Sequence, residues 1–104
     1  MSAQAQTIIA DVKKHLQITW EDQVTDQRIG NYIESGIAYL NDKRGADADY
    51  TVPGYPRTLL FEYVRYARDD ALDVFESNYQ SLILAMRQQR QVSEYAENSV
   101  SAEE

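Results

Sequence analysis

The chain has 104 residues, 10 basic and 17 acidic, so its formal net charge is −7 at pH 7. This length favours one domain, and this charge disfavours general binding to nucleic acid or to an anionic membrane, because both depend on basic side chains. The absence of cysteine excludes disulfides, thiol catalysis and cysteine-ligated metals. The sequence has no apolar run long enough for a transmembrane helix, and we expect no secretory signal at its start.

Apolar residues spaced three and four apart predict a first helix from Thr7 to about Leu16. Thr7 is the predicted N-cap, and residues 1–6 are expected to fray. A connector follows from Gln17 to Thr25. Within it we expect Trp20 to cover the edge of the core, because an indole offers a large apolar surface.

A second helix is predicted to start at Asp22 or Thr25 and to end at Gly45, behind two basic residues that suit a helix C-terminus. Gly30 and Gly36 lie inside this helix, where glycine lowers helical stability. They indicate either close contact with another helix or simple tolerance of glycine, and the sequence leaves both interpretations open.

Residues 45–56 form a predicted loop, in which Pro53-Gly54 indicates a type II turn with a positive φ at the glycine. A long helix is then predicted from Pro56, since proline is tolerated in a first helical turn. We expect it to break at Ser77-Asn78 and a shorter helix to begin near Tyr79, because an unbroken helix would be unusually long for a small domain.

These elements predict an all-α fold, a small bundle of about four helices with one long helix. We assign residues 1–90 to this helical domain. Residues 91–104 contain four glutamates and no basic residue, which predicts an acidic, mobile tail that can act as a docking arm.

Catalytic and metal-binding signals are weak. His15 is the only histidine, and because no partner residue stands near it in the sequence, we expect it to lie on the surface. Asp47 and Asp49 resemble the start of a calcium loop, but the glycine and the closing glutamate of that motif are absent at their positions. We therefore predict no enzymatic activity, no cofactor and no metal site.

A helix-turn-helix interpretation is also disfavoured. The connector between the first two helices is longer than the usual turn of about three or four residues. The second helix begins with Asp26-Gln27-Arg28 and carries Glu34, which leaves little positive charge to contact phosphate. A small helical regulator that binds DNA or a host protein remains the alternative.

The eight tyrosines favour an interaction protein, since tyrosine combines a large contact area with a polar end. We expect three of them to cover the core: Tyr32, Tyr63 and Tyr66. The other candidates lie in the loop and the tail, where partner contacts explain them better: Tyr50, Tyr55 and Tyr95.

Two segments carry a family resemblance over about residues 7–90. The second helix contains RIGNYIESGIAYLND, and the aromatic-rich third region reads TLLFEYVRYARDDALDVFESNY before Leu84-Ala85-Met86-Arg87. This layout resembles the small head–tail connector proteins of tailed bacteriophages, also called adaptor, head-completion or DNA packaging proteins.

The resemblance implies a mostly helical virion subunit that assembles as a ring, typically a dodecamer, beneath the portal protein at the head–tail junction. Such a ring extends the DNA channel, retains the packaged genome and receives the next connector or a tail-completion protein. DNA passes through it without sequence-specific binding, and the subunit has no enzymatic role. It is made in the cytoplasm of the host bacterium, with no membrane partner.

Position and residue type give the candidate site residues of such a subunit. We assign the contacts with other subunits or with the portal to Tyr50, Tyr55, Tyr79, Arg87, Arg90 and Tyr95. We assign the acidic surface that faces the channel to Asp69, Asp70 and Asp73.

Overall fold

The computed structural model describes the backbone of residues 1–103 and the side chains of residues 1–93. Every regular element in that part of the chain is an α-helix, which confirms the all-α prediction. None of these helices is both long and apolar enough to cross a bilayer. The four helices are α1 (Ala3–His15), α2 (Gln23–Arg44), α3 (Tyr55–Arg68) and α4 (Leu72–Glu103).

Helices α2 and α3 form the centre of the bundle, because each of them packs against all three other helices. Helix α4 lies against α3 and α2, and α1 packs mainly on α2. Two aromatic residues, Tyr50 and Phe75, are the largest fully buried side chains. The aliphatic core around them comes from every helix, chiefly Ile8, Val12, Ile29, Ile33, Leu40, Leu59, Leu60, Val64 and Met86.

The first residues belong to the fold and are not frayed. The hydroxyl of Ser2 caps α1 by accepting a hydrogen bond from the backbone N–H of Ala5 at 3.2 Å. The backbone N–H of Ser2 donates to Glu34 Oε1 of α2 at 2.6 Å, and that hydrogen bond holds the pKa of Glu34 below its usual range. Ala5 itself is fully buried. The predictions of a cap at Thr7 and a mobile start were therefore wrong.

The helix break in the second half of the chain lies between α3 and α4, not at the predicted Ser77-Asn78. Asp70 has a φ of 55°. Its N–H donates to the carbonyl of Ala67 at 3.1 Å, and the N–H of Ala71 donates to the carbonyl of Tyr66 at 2.8 Å. This pair of bonds is a Schellman motif that ends α3. The long helix of the fold is consequently α4, and not the helix that begins at the proline.

Helices α1 and α2 also end at a residue with a positive φ. Gln17, with a φ of 61°, terminates α1, and the N–H of Ile18 donates back to the carbonyl of Lys13 at 2.9 Å. Asp22 caps α2 by accepting a hydrogen bond from the N–H of residue 25 at 3.3 Å. Gly45 ends α2 with a φ of 87°. The predicted limits of α2 are confirmed, with Asp22 as the start.

The two glycines inside α2 have different surroundings. A Cβ added to Gly36 would lie 2.6 Å from Cδ1 of Leu60 and 2.8 Å from Cδ1 of Tyr63, both on α3. A Cβ on Gly30 would meet only the side chain of Met1, with Sδ at 2.9 Å. Gly36 therefore permits close approach of α2 and α3, whereas Gly30 faces a flexible, largely exposed side chain.

Candidate interaction surfaces

Tyr50 lies in the α2–α3 loop but points into the core. Its side chain is fully buried, and its hydroxyl donates a hydrogen bond to Asn41 Oδ1 at 2.7 Å. Its backbone N–H donates to Gln4 Oε1 of α1 at 2.8 Å. Burial raises the pKa of Tyr50 to about 12. The assignment of Tyr50 to an intermolecular contact was therefore wrong, because this side chain fills the space beneath its own loop.

The rest of this loop has no metal-binding geometry within the described residues. Asp49 accepts hydrogen bonds from the hydroxyl of Thr51 at 2.5 Å and from its backbone N–H at 2.9 Å, and both bonds lower the pKa of Asp49. Arg44 donates to the carbonyl of Asp47 at 2.5 Å. Gly54 has a φ of 149° and a ψ of −179° and precedes α3 as its N-cap, which corrects the predicted type II turn.

Trp20 in the α1–α2 connector is exposed. Its side chain is 55% accessible to solvent, which contradicts the prediction that it covers the core edge. The space beneath the connector is already filled by Leu16 and Ile18, each 7% exposed. Val24, at the start of α2, is 64% exposed. We call Trp20 and Val24 the Trp20 end of the molecule.

The opposite end of α2 also carries exposed apolar side chains. Val52 is 50% exposed and Tyr55 is 38% exposed, and we call these two residues the Tyr55 end. Helix α2 has 22 residues, so its two termini are about 33 Å apart at 1.5 Å per residue. Val52 and Arg44, the last residue of α2, line the same groove, so the Trp20 end and the Tyr55 end lie at opposite ends of α2. Tyr55 is at the surface, as its assignment as a contact residue requires.

Helix α4 presents an uncharged face to solvent. Three of its apolar side chains are well exposed: Val74 at 44%, Leu84 at 54% and Val92 at 68%. The helix buries its opposite side through Phe75, Ile83 and Met86. We call the solvent side the outer face of α4, which comprises Val74, Ser77, Ser81, Leu84, Ala85, Gln88 and Val92.

Tyr79 belongs to an aromatic cluster at the junction of α2, α3 and α4. Its ring stacks on Phe75 with centroids 5.2 Å apart and contacts the ring of Tyr66 edge-on at 5.8 Å. Burial is the largest cause of the raised pKa of Tyr79. Tyr63 joins the same cluster, and Tyr32 packs against the core elsewhere on α2. The prediction that Tyr32, Tyr63 and Tyr66 cover the core is confirmed.

The two arginines assigned to contacts differ in exposure. Arg87 is exposed on α4, whereas Arg90 is half-buried. A guanidinium nitrogen of Arg90 lies 3.1 Å from the position of a Cβ on Gly45, and the side chain lines an open groove of about 550 Å³ that Arg44 also lines. Tyr95, the remaining assigned contact, lies outside the residues whose side chains the structure describes, as does most of the predicted tail.

The three assigned channel residues are all exposed but do not share one helical face. Asp69 and Asp70 lie in the turn between α3 and α4, and Asp73 lies in the first turn of α4. Asp69 is 3.7 Å from Nε of the adjacent Arg68. Arg65, one helical turn before Asp69, lies 3.5 Å from a carboxylate oxygen of residue 62 instead.

His15 has a partner that the sequence did not reveal. Its Nε2 lies 3.1 Å from Glu62 Oε1 of α3, and its ring contacts Phe61 edge-on at 5.5 Å. The two residues are 47 positions apart, so local sequence patterns gave no signal for this pair. Glu62 also faces Arg65, which makes the group a surface ion-pair network between α1 and α3.

The exposed apolar residues and the charged turn are therefore the most distinctive surface features of the described chain. Comparison with protein-family models, with curated proteins and with solved structures found no match.

Proposed function

We propose that this chain is a structural head–tail connector subunit of a tailed phage, which assembles as a ring beneath the portal, extends the DNA channel and retains the packaged genome. The observation that carries this proposal is the placement of exposed apolar side chains at the two opposite ends of α2. A subunit held between two protein layers requires a contact surface at each end.

The two ends have the chemistry of protein contacts. Tryptophan and tyrosine are the residues that most often dominate the energy of an interface. Burial of an apolar side chain such as Val24 contributes about 1.5–3 kcal/mol before the costs of association. The Trp20 end and the Tyr55 end are therefore suited to bind the layers above and below the ring. Which end meets the portal is decided by the experiment below.

Charge supports the passage of DNA through such a ring. Each copy contributes a formal charge of −7, and a channel lined by one sign of charge repels phosphate of the same sign. We retain Asp69, Asp70 and Asp73 as the channel-facing residues of the proposal, since all three are exposed. Residues 91–104 remain the proposed docking arm, with Tyr95 as its aromatic anchor.

A DNA-binding or host-protein-binding regulator ranks second. A cleft of about 340 Å³ lined by His15, Arg65 and Arg68 favours this alternative, because it is basic. Acidic groups offset that charge, however. Glu62 lies 3.1 Å from His15 and 3.5 Å from Arg65, and Asp69 lies 3.7 Å from Arg68. The cleft therefore offers little net charge to a phosphate backbone.

Binding to the portal protein encoded in the same genome tests the proposal. We expect Trp20→Ala or Tyr55→Ala to weaken binding by at least tenfold, because a hot-spot truncation typically costs about 2 kcal/mol or more. Glu21→Ala, which alters an exposed neighbour of Trp20, is the matched control and should bind as the unmodified chain does. Retention of DNA at low salt, with no portal binding by the unmodified chain, would favour the regulator instead.

A further inference from the structure

We propose that a pocket at the junction of α2, α3 and α4 binds an arginine side chain that a partner protein presents. The site lies outside the Trp20 end and the Tyr55 end, and the inference does not rest on the proposed function. The cavity has a volume of about 180 Å³, which suits the end of one side chain. Six residues line it, and we call it the Tyr39 pocket: Tyr39, Tyr63, Leu72, Asp73, Phe75 and Glu76.

Aromatic rings form one wall of the Tyr39 pocket. The ring centroids of Tyr39 and Tyr63 are 5.5 Å apart, and Phe75 contacts Tyr63 edge-on at 5.6 Å. Tyr39 is half-buried whereas the other two are buried, so its ring is the one most open to a ligand. The face of such a ring attracts a cation within about 6 Å of its centroid. Nζ of Lys43 already lies 5.5 Å from the centroid of Tyr39, so this ring accepts a cation within its own chain.

Two carboxylates give the pocket its negative charge. Asp73 lies in the first turn of α4 and Glu76 one turn later, and both are exposed. Burial raises the pKa of Tyr39, and the nearby carboxylate of Glu76 raises it further. The ion pairs found among the described side chains involve neither Asp73 nor Glu76. Two negative charges exceed the single charge of Lys43 together with the charge of about one half at the start of α4, so the pocket favours a cation.

Three acceptors around the pocket match a guanidinium group. Besides the two carboxylates, the hydroxyl oxygen of Tyr39 is buried and has no hydrogen-bond partner among the described residues. An unpaired buried polar group costs free energy, so a donor that reaches this hydroxyl stabilises the complex. Arginine carries five N–H donors in one plane, and that plane can lie on an aromatic face while its edge donates to carboxylates. Leu72, which is 37% exposed, offers apolar surface to the aliphatic stem of the same side chain.

Charge also indicates which molecule carries the arginine. The free amino acid has an α-carboxylate, which Asp73 and Glu76 repel, whereas an arginine inside a polypeptide has no such group. A second copy of this chain is disfavoured, because two molecules that each carry a net charge of −7 repel one another. A basic segment of another protein is attracted both by the pocket and by the net charge of the chain. We therefore assign the pocket to such a partner.

Titration of the full chain with Nα-acetylarginine amide, followed by NMR, tests the pocket. We expect saturable changes in the ring signals of Tyr39 and in the backbone amides of residues 72–76, with a Kd on the order of 1 mM for a single side chain. The same compound with citrulline in place of arginine keeps the shape without the charge, and it should bind at least about tenfold more weakly. Equal binding of both compounds, or changes spread over acidic residues far from the pocket, would overturn the proposal.

A matched pair of variants separates the pocket from general charge attraction. Glu76→Gln and Glu21→Gln each remove one exposed carboxylate, and only the first lies in the pocket. We expect Glu76→Gln to bind Nα-acetylarginine amide about fivefold more weakly and Glu21→Gln to bind it as the unmodified chain does. Circular dichroism confirms that both variants are folded. Equal affinities of the two variants would contradict the proposal, because net charge alone would then account for binding.

Two further measurements identify the source of the arginine. Free arginine should bind more weakly than the capped amide, and tighter binding would make the ligand a small molecule. Sedimentation of the unmodified chain over a range of concentrations tests a second copy as the donor. We expect no self-association that depends on Glu76. Self-association that is lost in Glu76→Gln would assign the arginine to another copy of this chain and overturn the assignment to a different protein.

Discussion

The two connections at either end of α2 each contain one large aromatic residue, which is buried in one connection and exposed in the other. Tyr50 in the α2–α3 loop is fully buried, whereas Trp20 in the α1–α2 connector is 55% exposed. Residue size does not explain this difference, because the larger and more apolar side chain is the exposed one. The hydrogen bonds and the space beneath each connection explain it.

The α2–α3 loop is tied to two helices. Gln4 of α1 accepts from the N–H of Tyr50 at 2.8 Å and donates to the carbonyl of Ala48 at 3.2 Å. Asn41 of α2 accepts from the N–H of Ala48 at 3.2 Å and from the tyrosine hydroxyl at 2.7 Å. Buried backbone groups are thus paired, and the loop can lie against the core. The shorter connector buries Ile18 in place of its aromatic residue.

The largest expected effect is therefore the loss of Tyr50. Tyr50→Ala should lower the free energy of unfolding by about 3–5 kcal/mol, because it removes a buried aromatic side chain and leaves a cavity. Trp20→Ala should change it by no more than about 0.5 kcal/mol, as expected for an exposed residue. Urea denaturation followed by circular dichroism measures both. Equal destabilisation by the two substitutions would contradict the claim that Tyr50 is buried and Trp20 is exposed.

Removing the hydrogen bonds between Gln4 of α1 and the loop should have an intermediate effect on the free energy of unfolding. Gln4→Ala leaves the N–H of Tyr50 and the carbonyl of Ala48 without their side-chain partner. We expect a loss of about 1–3 kcal/mol, the cost of leaving buried polar groups unsatisfied. Gln6→Ala is a control on the exposed side of the same helix. If both substitutions have the same small effect, the loop is held by its tyrosine alone.

The hydroxyl of Tyr50 should contribute less, and in a pH-dependent way. Tyr50→Phe removes one hydrogen bond, worth about 1 kcal/mol below pH 10. Since burial raises the pKa of Tyr50 from 10.0 to about 12, the folded chain keeps this proton where the unfolded chain loses it. The associated stability is complete below pH 10 and is lost as the pH rises through 12.

Thermal unfolding between pH 9 and pH 11.5 measures this effect. The melting temperature of the unmodified chain should fall more steeply with pH than that of Tyr50→Phe. The other tyrosines are present in both proteins, so their titration cancels in the difference. Parallel pH profiles would show that the hydroxyl is not buried in solution.

A small gain in stability is expected from a substitution in the α1–α2 connector. Gln17 adopts a φ of 61°, which costs a residue with a Cβ more than it costs glycine. Gln17→Gly should therefore stabilise the fold by up to about 1 kcal/mol. Gln23→Gly, in the first turn of α2, should destabilise it, because glycine is a poor helix former. A loss of stability with Gln17→Gly would mean that the left-handed turn is absent.

Helix type was predictable from the sequence, because apolar residues recur at helical spacing. The buried face of α4 was not, since its apolar residues Val74 and Leu84 are exposed. Asp22 and Gly45 also carried recognisable signals, a side-chain cap and a glycine in the left-handed region. The end of α3 did not. Asp70 takes the left-handed conformation without glycine, so nothing in the local sequence distinguished it from the helical residues around it.

The surfaces were harder to predict than the helices. The burial of Tyr50 depends on Gln4, a residue 46 positions earlier, and the contact of His15 with Glu62 spans 47 positions. Such pairs depend on how the helices pack, and local sequence does not encode that. The exposure of Trp20 likewise depends on which neighbour fills the space beneath the connector. Which aromatic side chains are exposed to a partner can be decided only after the packing of the core is known.

Electron microscopy of the unmodified chain mixed with the portal protein of the same genome is the most direct measurement of association through the ends of α2. We expect a ring of additional density stacked on the portal along its axis, and its loss with whichever of Trp20→Ala and Tyr55→Ala weakens portal binding. Portal particles that look the same with and without this chain, at concentrations well above those in the binding assay, would contradict the connector role.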